Sequence, residues 1–276
     1  MKIKKSIFFA GFILIFFISC SSMAHYEEID SAVFTGDYHG GLEMIKKAKE
    51  GGAYADTDAI LFYLDAGMLS HYAGEYKESI DYLSTAERSI EAAFTKSVSL
   101  EITSYVLNDN IKEYAGEDYE DIYLNVFNAL NYYYNGALES SLVEIRRSDN
   151  KLKHLATKYG AVTTNAQQAV LAKSSDVPYD PEAVQTNFSN SALARYLGML
   201  FYRGEGKRDD ARIDRDQVKL AFANQPTVYN FPLPSTLDDE LNVPAGMARL
   251  NVISFNGFSP VKQDETIRIP WAVRII

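Results

Sequence analysis

The stretch Asp58–Ile90 constrains the fold of this chain more than any other. Ile60, Leu61, Leu64, Met68 and Tyr72 recur at helical spacing and make one apolar stripe. Gly74 interrupts the chain, and Tyr76, Ile80, Leu83, Ala86 and Ile90 make a second stripe. Small residues stand where two helices have to approach closely: Ala66 and Gly67 on the first, Ser79 and Ala86 on the second. Two such stripes joined by a short turn predict antiparallel neighbouring helices.

The pattern recurs along the chain. Tyr26–Phe34 and Asp37–Lys49 predict an earlier hairpin turning at Gly36, with Gly41, Ile45 and Ala48 in the small-large-small positions and Gly51-Gly52 as the helix stop. Glu117–Asn135 and Leu138–Leu155 predict a third hairpin about Gly136. Its first stripe is Tyr119, Tyr123, Val126, Phe127, Leu130 and Tyr134; Leu142, Ile145 and Leu152 make the second. Gly36 and Gly74 lie 38 residues apart, but Gly74 and Gly136 lie 62 apart. An extra helix from Thr95 to Leu107, broken by Asn108-Asp109-Asn110, is expected to fill the gap. Residues 156–190 read as a loop with one short helix at Ala166–Lys173. Ala192–Tyr202 and Arg208–Phe222 then predict a fourth hairpin, turning at Gly204-Glu205-Gly206. Pro226, Pro232, Pro234 and Pro244 close the helical region. Arg249–Phe255 and Thr266–Ile275 read as strands of a C-terminal β-hairpin, the second demoted to an edge by Pro270. The sequence stops at Ile275-Ile276 with no turn or polar tail, so either that edge is buried or the chain is shorter than its relatives.

The organising hairpin resembles a tetratricopeptide repeat, a helix–turn–helix unit of about 34 residues. Gly67 falls on that repeat's first small position, Gly74-Glu75-Tyr76 on its turn, and Ser79, Leu83 and Ala86 on its remaining small-large-small pattern; the closing proline of the repeat is absent. The resemblance implies a mainly α fold, a tetratricopeptide-like helical repeat (α-solenoid) with a short C-terminal β-hairpin segment.

The N-terminus reads as an address. Lys2, Lys4 and Lys5 precede an apolar run, Ile7–Ile18, too short to span a bilayer. Phe17-Ile18-Ser19-Cys20 then resembles a bacterial lipoprotein signal, in which the cysteine is lipidated and becomes the new N-terminus. Phe17 departs from the usual leucine. Cys20 is the one cysteine in the chain, which excludes an internal disulfide. Its other reading is a small buried residue or free thiol. Each buried methylene of an acyl chain adds about 0.8 kcal/mol of membrane affinity, so several chains on Cys20 anchor stably. By the same resemblance, Ser21 after the cysteine favours the outer membrane. The expected parts are residues 1–19 as signal peptide, 20–225 as helical-repeat domain and 226–276 as β-containing segment. Removing Lys2, Lys4 and Lys5 takes the formal charge from −10 to −13. So acidic a chain argues against nucleic acid and against electrostatic binding to anionic lipid.

Several further segments, among them FTKSVSLE (94–101), LNDNIKEYAGEDYE (107–120), ALNYYYNGALESSLVEIRRSD (129–149), ARYLGMLFYRGEG (194–206) and FNGFSPVK (255–262), resemble an uncharacterised family of bacterial lipoproteins with tetratricopeptide-like repeats. The resemblance implies an envelope protein with a helical body and a β-containing end. It carries no catalytic or ligand residues over.

Few chemical constellations stand out. His71 and Glu75 are four apart, as two metal ligands on a helix would be, but no HExxH and no third ligand accompany them, so a polar pair at a helix end is expected. Glu144 and Arg147 share a helical face and are expected to pair. There is no phosphate-binding glycine loop, no GxSxG and no metal-ligand spacing among His25, His39, His71 and His154; no enzyme, cofactor or metal is expected. The chain has 19 Tyr and 15 Phe. Tyr132-Tyr133-Tyr134 cannot all face one core, because successive helical residues point in different directions. Tyr72, Tyr76, Tyr132, Tyr133, Arg146 and Arg147 are therefore the candidate partner contacts. The expected function is a lipid-anchored cell-envelope scaffold that binds one or more envelope proteins through a repeat surface. The alternative is a lipoprotein that stacks tyrosines on glycans or cell-wall fragments.

Overall fold

The computed structural model describes residues 24–99, 114–173, 188 and 190–255. The chain divides into two units, residues 1–241 and 242–276. The described part of the first is mainly helical and built from adjacent helix pairs.

Eight α-helices appear among the described residues: α1 (Ala24–Thr35), α2 (Tyr38–Glu50), α3 (Ala59–Tyr72), α4 (Tyr76–Ser99), α5 (Asp118–Tyr134), α6 (Leu138–Lys173), α7 (Ala192–Gly204) and α8 (Arg208–Asn224). Each packs on the next, so α1/α2, α3/α4, α5/α6 and α7/α8 form four hairpins stacked in chain order. All four turn in one way. Gly36, Gly74, Gly136 and Gly206 have φ between +73° and +80°, the left-handed region that glycine enters without steric cost. The residue after each glycine donates its N–H five residues back: Asp37 to Ala32, Glu75 to Ser70, Ala137 to Tyr132 and Lys207 to Tyr202, at 2.8–2.9 Å. This is the Schellman closure, which satisfies carbonyls that a helix end leaves open. Five residues past the glycine, Gly41, Ser79, Ser141 and Ala211 are all buried, because the paired helices cross closely there.

The apolar core runs through these pairs. Ile29, Leu42 and Ile45 of the first hairpin pack with Phe62, Ala66 and Leu69 of α3. The other side of α3 carries Ile60 and Leu64, which join Leu83, Ala86 and Ile90 in a cluster shared with α5, α6 and α7. α3 is thus apolar on both sides, and the single stripe expected for it accounts for only one of its two contacts. Gly67 sits where α4 comes nearest: a Cβ there would lie 2.6 Å from Leu83 Cδ2. Residues 226–241 fold back on the fourth hairpin. Leu237 is buried with Met199, Ala211 and Val218, the Tyr229 hydroxyl accepts from the Ala192 amide, and Arg203 pairs with Glu240. That cover shields the last apolar face of the stack, as a terminal cap must in a repeat array.

Three expectations change. No break occurs at Phe94–Thr95; α4 runs on to Ser99, and Thr95, expected to start a new helix, donates its hydroxyl to the Glu91 carbonyl one turn back. The rest of the extra helix, residues 100–107, lies outside the described residues. The expected loop from residue 156 is helical instead: α6 is continuous to Lys173. No proline interrupts it, and extending a helix across Gly160 costs about 1 kcal/mol, less than nucleating a separate one. Finally, Arg249–Phe255, in the second unit, carries no strand, and its expected partner Thr266–Ile275 lies outside the described residues. Among the described residues no strand occurs, and no helix is long and apolar enough to cross a membrane. Residues 1–23, including Cys20, are also outside them.

Candidate functional site

The four turns lie along one edge of the stack, and aromatic rings join them. Tyr38, two residues after Gly36, stacks on Tyr72, two residues before Gly74, at 5.3 Å between ring centroids. Tyr76, two residues after Gly74, stacks on Tyr134, two before Gly136, at 4.8 Å. Tyr134 meets Tyr133 edge-on at 5.9 Å, and Tyr133 stacks on Phe201 of α7 at 5.2 Å. The row therefore runs from the first hairpin to the fourth. Tyr133 and Tyr134 keep 50% and 54% of their surface in solvent, and Tyr72 keeps 37%.

His71 holds the middle of this row from below. Its ring lies within 5.0–6.2 Å of the rings of Tyr72, Tyr76, Phe127 and Tyr134. Its Nδ1 is 2.6 Å from Asn131 Oδ1; Asn131 Nδ2 donates to Ser79 Oγ at 2.7 Å, and Ser79 donates to the Gly67 carbonyl at 2.7 Å. Because the Asn131 amide nitrogen is spent on Ser79, its oxygen must accept, so the proton of neutral His71 sits on Nδ1. Burial lowers the pKa of His71, which favours the neutral ring, while its bond to Asn131 acts the other way. The expected His71–Glu75 pair does not form. His71 turns inward to Asn131 across sixty residues of sequence, while Glu75 is exposed.

The candidate contact residues separate into groups. Tyr72, Tyr76 and Tyr133 share the aromatic edge. Tyr132 faces away from it, half-buried near Asp81, Glu144 and Arg147, where burial raises its phenol pKa. Arg147 makes the expected bond to Glu144, at 3.1 Å, and a second to Glu87 on α4, at 2.6 Å. Arg146 is exposed on α6. Tyr38, Tyr134 and Phe201 complete the edge. Their common signal in the sequence is position, two to five residues from a turn glycine.

Beneath the surface the hairpins are joined by a repeated polar latch. Asn125, eleven residues before Gly136, is fully buried and donates to Glu87 Oε1 of the second hairpin at 3.0 Å and to Glu144 Oε2 of its own at 2.7 Å. Arg195 occupies the same place eleven residues before Gly206. It bonds Asp149 of the third hairpin and Asp214 of the fourth, the latter at 3.3 Å. The acids match too. Glu87 and Asp149 each lie thirteen residues after their turn glycine; Glu144 and Asp214 each lie eight after theirs. Burial pushes Asp214 up to about 6 despite Arg195, and its Oδ2 has no partner.

A cleft of about 460 Å³ opens between α4, α5 and α6, floored by Ile90, Ile122 and Leu155. Phe94 is its one aromatic lining residue among the described residues. Lys151 spans its wall, using all three ammonium protons on Glu87 Oε1, Asp121 Oδ1 and the Asp121 carbonyl. No cluster of His, Cys, Asp and Glu fit to hold a metal occurs among the described residues.

No family model matches the chain, and no curated protein or solved structure matches it.

Proposed function

We propose that this protein is a lipid-anchored scaffold of the bacterial cell envelope, a tetratricopeptide-like repeat tethered through Cys20, that binds another envelope protein along its aromatic edge. The observation that carries the reading is the row of stacked rings crossing all four hairpins. Tyrosine combines apolar area with a hydroxyl and loses little entropy on ordering, which suits it to protein interfaces. Spreading the rings along an edge fits an extended partner. A glycan site would be supported by rings converging in a pocket, and the edge tyrosines instead use their faces on one another.

The test is crosslinking in cells with an epitope-tagged chain, followed by mass spectrometry of what is captured. Wild type is expected to yield one or two envelope proteins in defined ratio. Tyr133→Ser with Tyr134→Ser is expected to lose them while staying folded and membrane-bound. Cys20→Ala is expected to appear in the soluble fraction. Capture unchanged by the double tyrosine substitution would remove the edge from the reading, and a Cys20→Ala variant that stays with the membrane would remove the anchor.

A further inference from the structure

The cleft between α4, α5 and α6 is separate in its residues from the aromatic edge, and its polar groups divide into two sets. One set is consumed by the fold: Glu87, Asp121 and Lys151 satisfy one another, and two of the five guanidinium protons of Arg147 are spent on Glu87 and Glu144. The other set lines the same space and keeps unused bonding capacity. The Glu91 carboxylate makes no hydrogen bond or ion pair among the described residues; against the lowering effect of burial, its charge joins those of Glu87 and Glu144 in raising the pKa of the Arg147 guanidinium. The Asn150 amide is likewise uncommitted. His154 has its Nδ1 2.6 Å from the Asn150 carbonyl, which places the proton of the neutral ring on Nδ1 and leaves Nε2 as an acceptor. Arg147, half in solvent, keeps three unspent N–H donors.

Small-molecule sites of about 300–1,000 Å³ combine an apolar floor with a few polar groups, and this cleft sets Glu91, Arg147, Asn150 and His154 around Ile90, Ile122 and Leu155. We infer that it binds the amino end of a short peptide whose first side chain is apolar. Glu91 meets the ammonium, with His154 Nε2 as a further acceptor for its protons. Arg147 and Asn150 donate to the first peptide carbonyl, and the side chain rests on Ile90, Ile122 and Leu155. A simple anion is disfavoured by the four carboxylates around the space, Glu87, Glu91, Asp118 and Asp121. A bare metal ion is disfavoured because Glu87 and Asp121 are already neutralised by Arg147 and Lys151.

The experiment is isothermal titration of L-leucyl-L-leucine into the full chain in mild detergent, beside its N-acetylated form. Saturable heat with the free dipeptide, and none with the acetylated one, is expected. Glu91→Gln, a change at an exposed position that leaves every bond of the fold in place, is expected to weaken binding about ten-fold or more, the usual consequence of losing a hydrogen bond to a charged group. Tyr133→Ser with Tyr134→Ser is expected to leave the titration unchanged, which separates this site from the edge. Absence of saturable heat for wild type up to about 10 mM dipeptide, equal binding of the acetylated form, or equal affinity in Glu91→Gln would each overturn the inference.

Discussion

Asn125→Asp tests the latch between the second and third hairpins with a change of almost no volume. The wild-type amide puts both its protons to use, at 3.0 Å to Glu87 and 2.7 Å to Glu144, and the side chain has no exposed surface. Replacing the NH₂ by oxygen removes two hydrogen bonds to charged acceptors, each contributing about 1.5–3 kcal/mol. It also sets a third carboxyl between two acids that are themselves only 6% exposed at the side chain. The chain then either holds three buried charges or keeps the new carboxyl protonated, which restores one of the two donors. The expected loss at pH 7.5 is about 3–5 kcal/mol. The introduced group has a folded pKa above its unfolded one, so its protonated form is favoured by folding. The deficit relative to wild type is therefore full above the folded pKa and shrinks as pH falls toward about 4. Urea unfolding followed by circular dichroism at pH 4.5, 6 and 7.5, taken as the difference from wild type at each pH, measures it. A loss below about 1 kcal/mol at pH 7.5, or a deficit that does not change with pH, would refute the account of Asn125 as an obligatory donor.

Three further expectations rest on the same structure. Gly67→Ala gains up to about 1 kcal/mol of helix propensity but drives its methyl into Leu83, whose Cγ would be at 2.7 Å; a net loss of about 1–2 kcal/mol by thermal unfolding is expected. Asp214 is raised to about 6, so its protonated form is favoured by folding; the stability it supports is present below about pH 4 and lost as pH rises through 6, an effect of order 2–3 kcal/mol that Asp214→Asn should abolish in pH-dependent urea titrations. Gly136→Ala forces a side chain into φ +76° with open space around it, so strain alone should cost about 1–2 kcal/mol, readable as a lower melting temperature with unchanged helicity at 25 °C.

The turns were legible in the sequence because each rests on one residue type with one conformational ability. Gly36, Gly74, Gly136 and Gly206 announce themselves wherever a helical stripe stops, and the pairing of helices follows. The ends of α4 and α6 were less legible. Thr95 is of a residue type that favours caps, yet the same hydroxyl that caps a helix can bond back within one, as it does here to Glu91, and only packing decides between the two. The polar latch was hidden for a different reason. Asn125, Asn128 and Asn131 recur every three residues on the buried side of α5, and periodic asparagine inside an apolar stripe looks like surface until the acids that it joins are placed, thirty-eight and nineteen residues away. The aromatic edge was half visible: Tyr132-Tyr133-Tyr134 had to expose a member, but which one depends on the rotation of α5 relative to α7.

The latch has a consequence for how such a chain can lengthen. The third hairpin carries all the parts, with Asn125, Glu144 and Arg147 toward the hairpin before it and Asp149 toward the hairpin after. A tandem duplication of that hairpin would set the Asp149 of one copy against the Asn125 and Glu144 of the next, in the register that the second–third and third–fourth junctions use. The module brings its own connector, so the length of the array is a quantity that gene duplication can adjust one hairpin at a time.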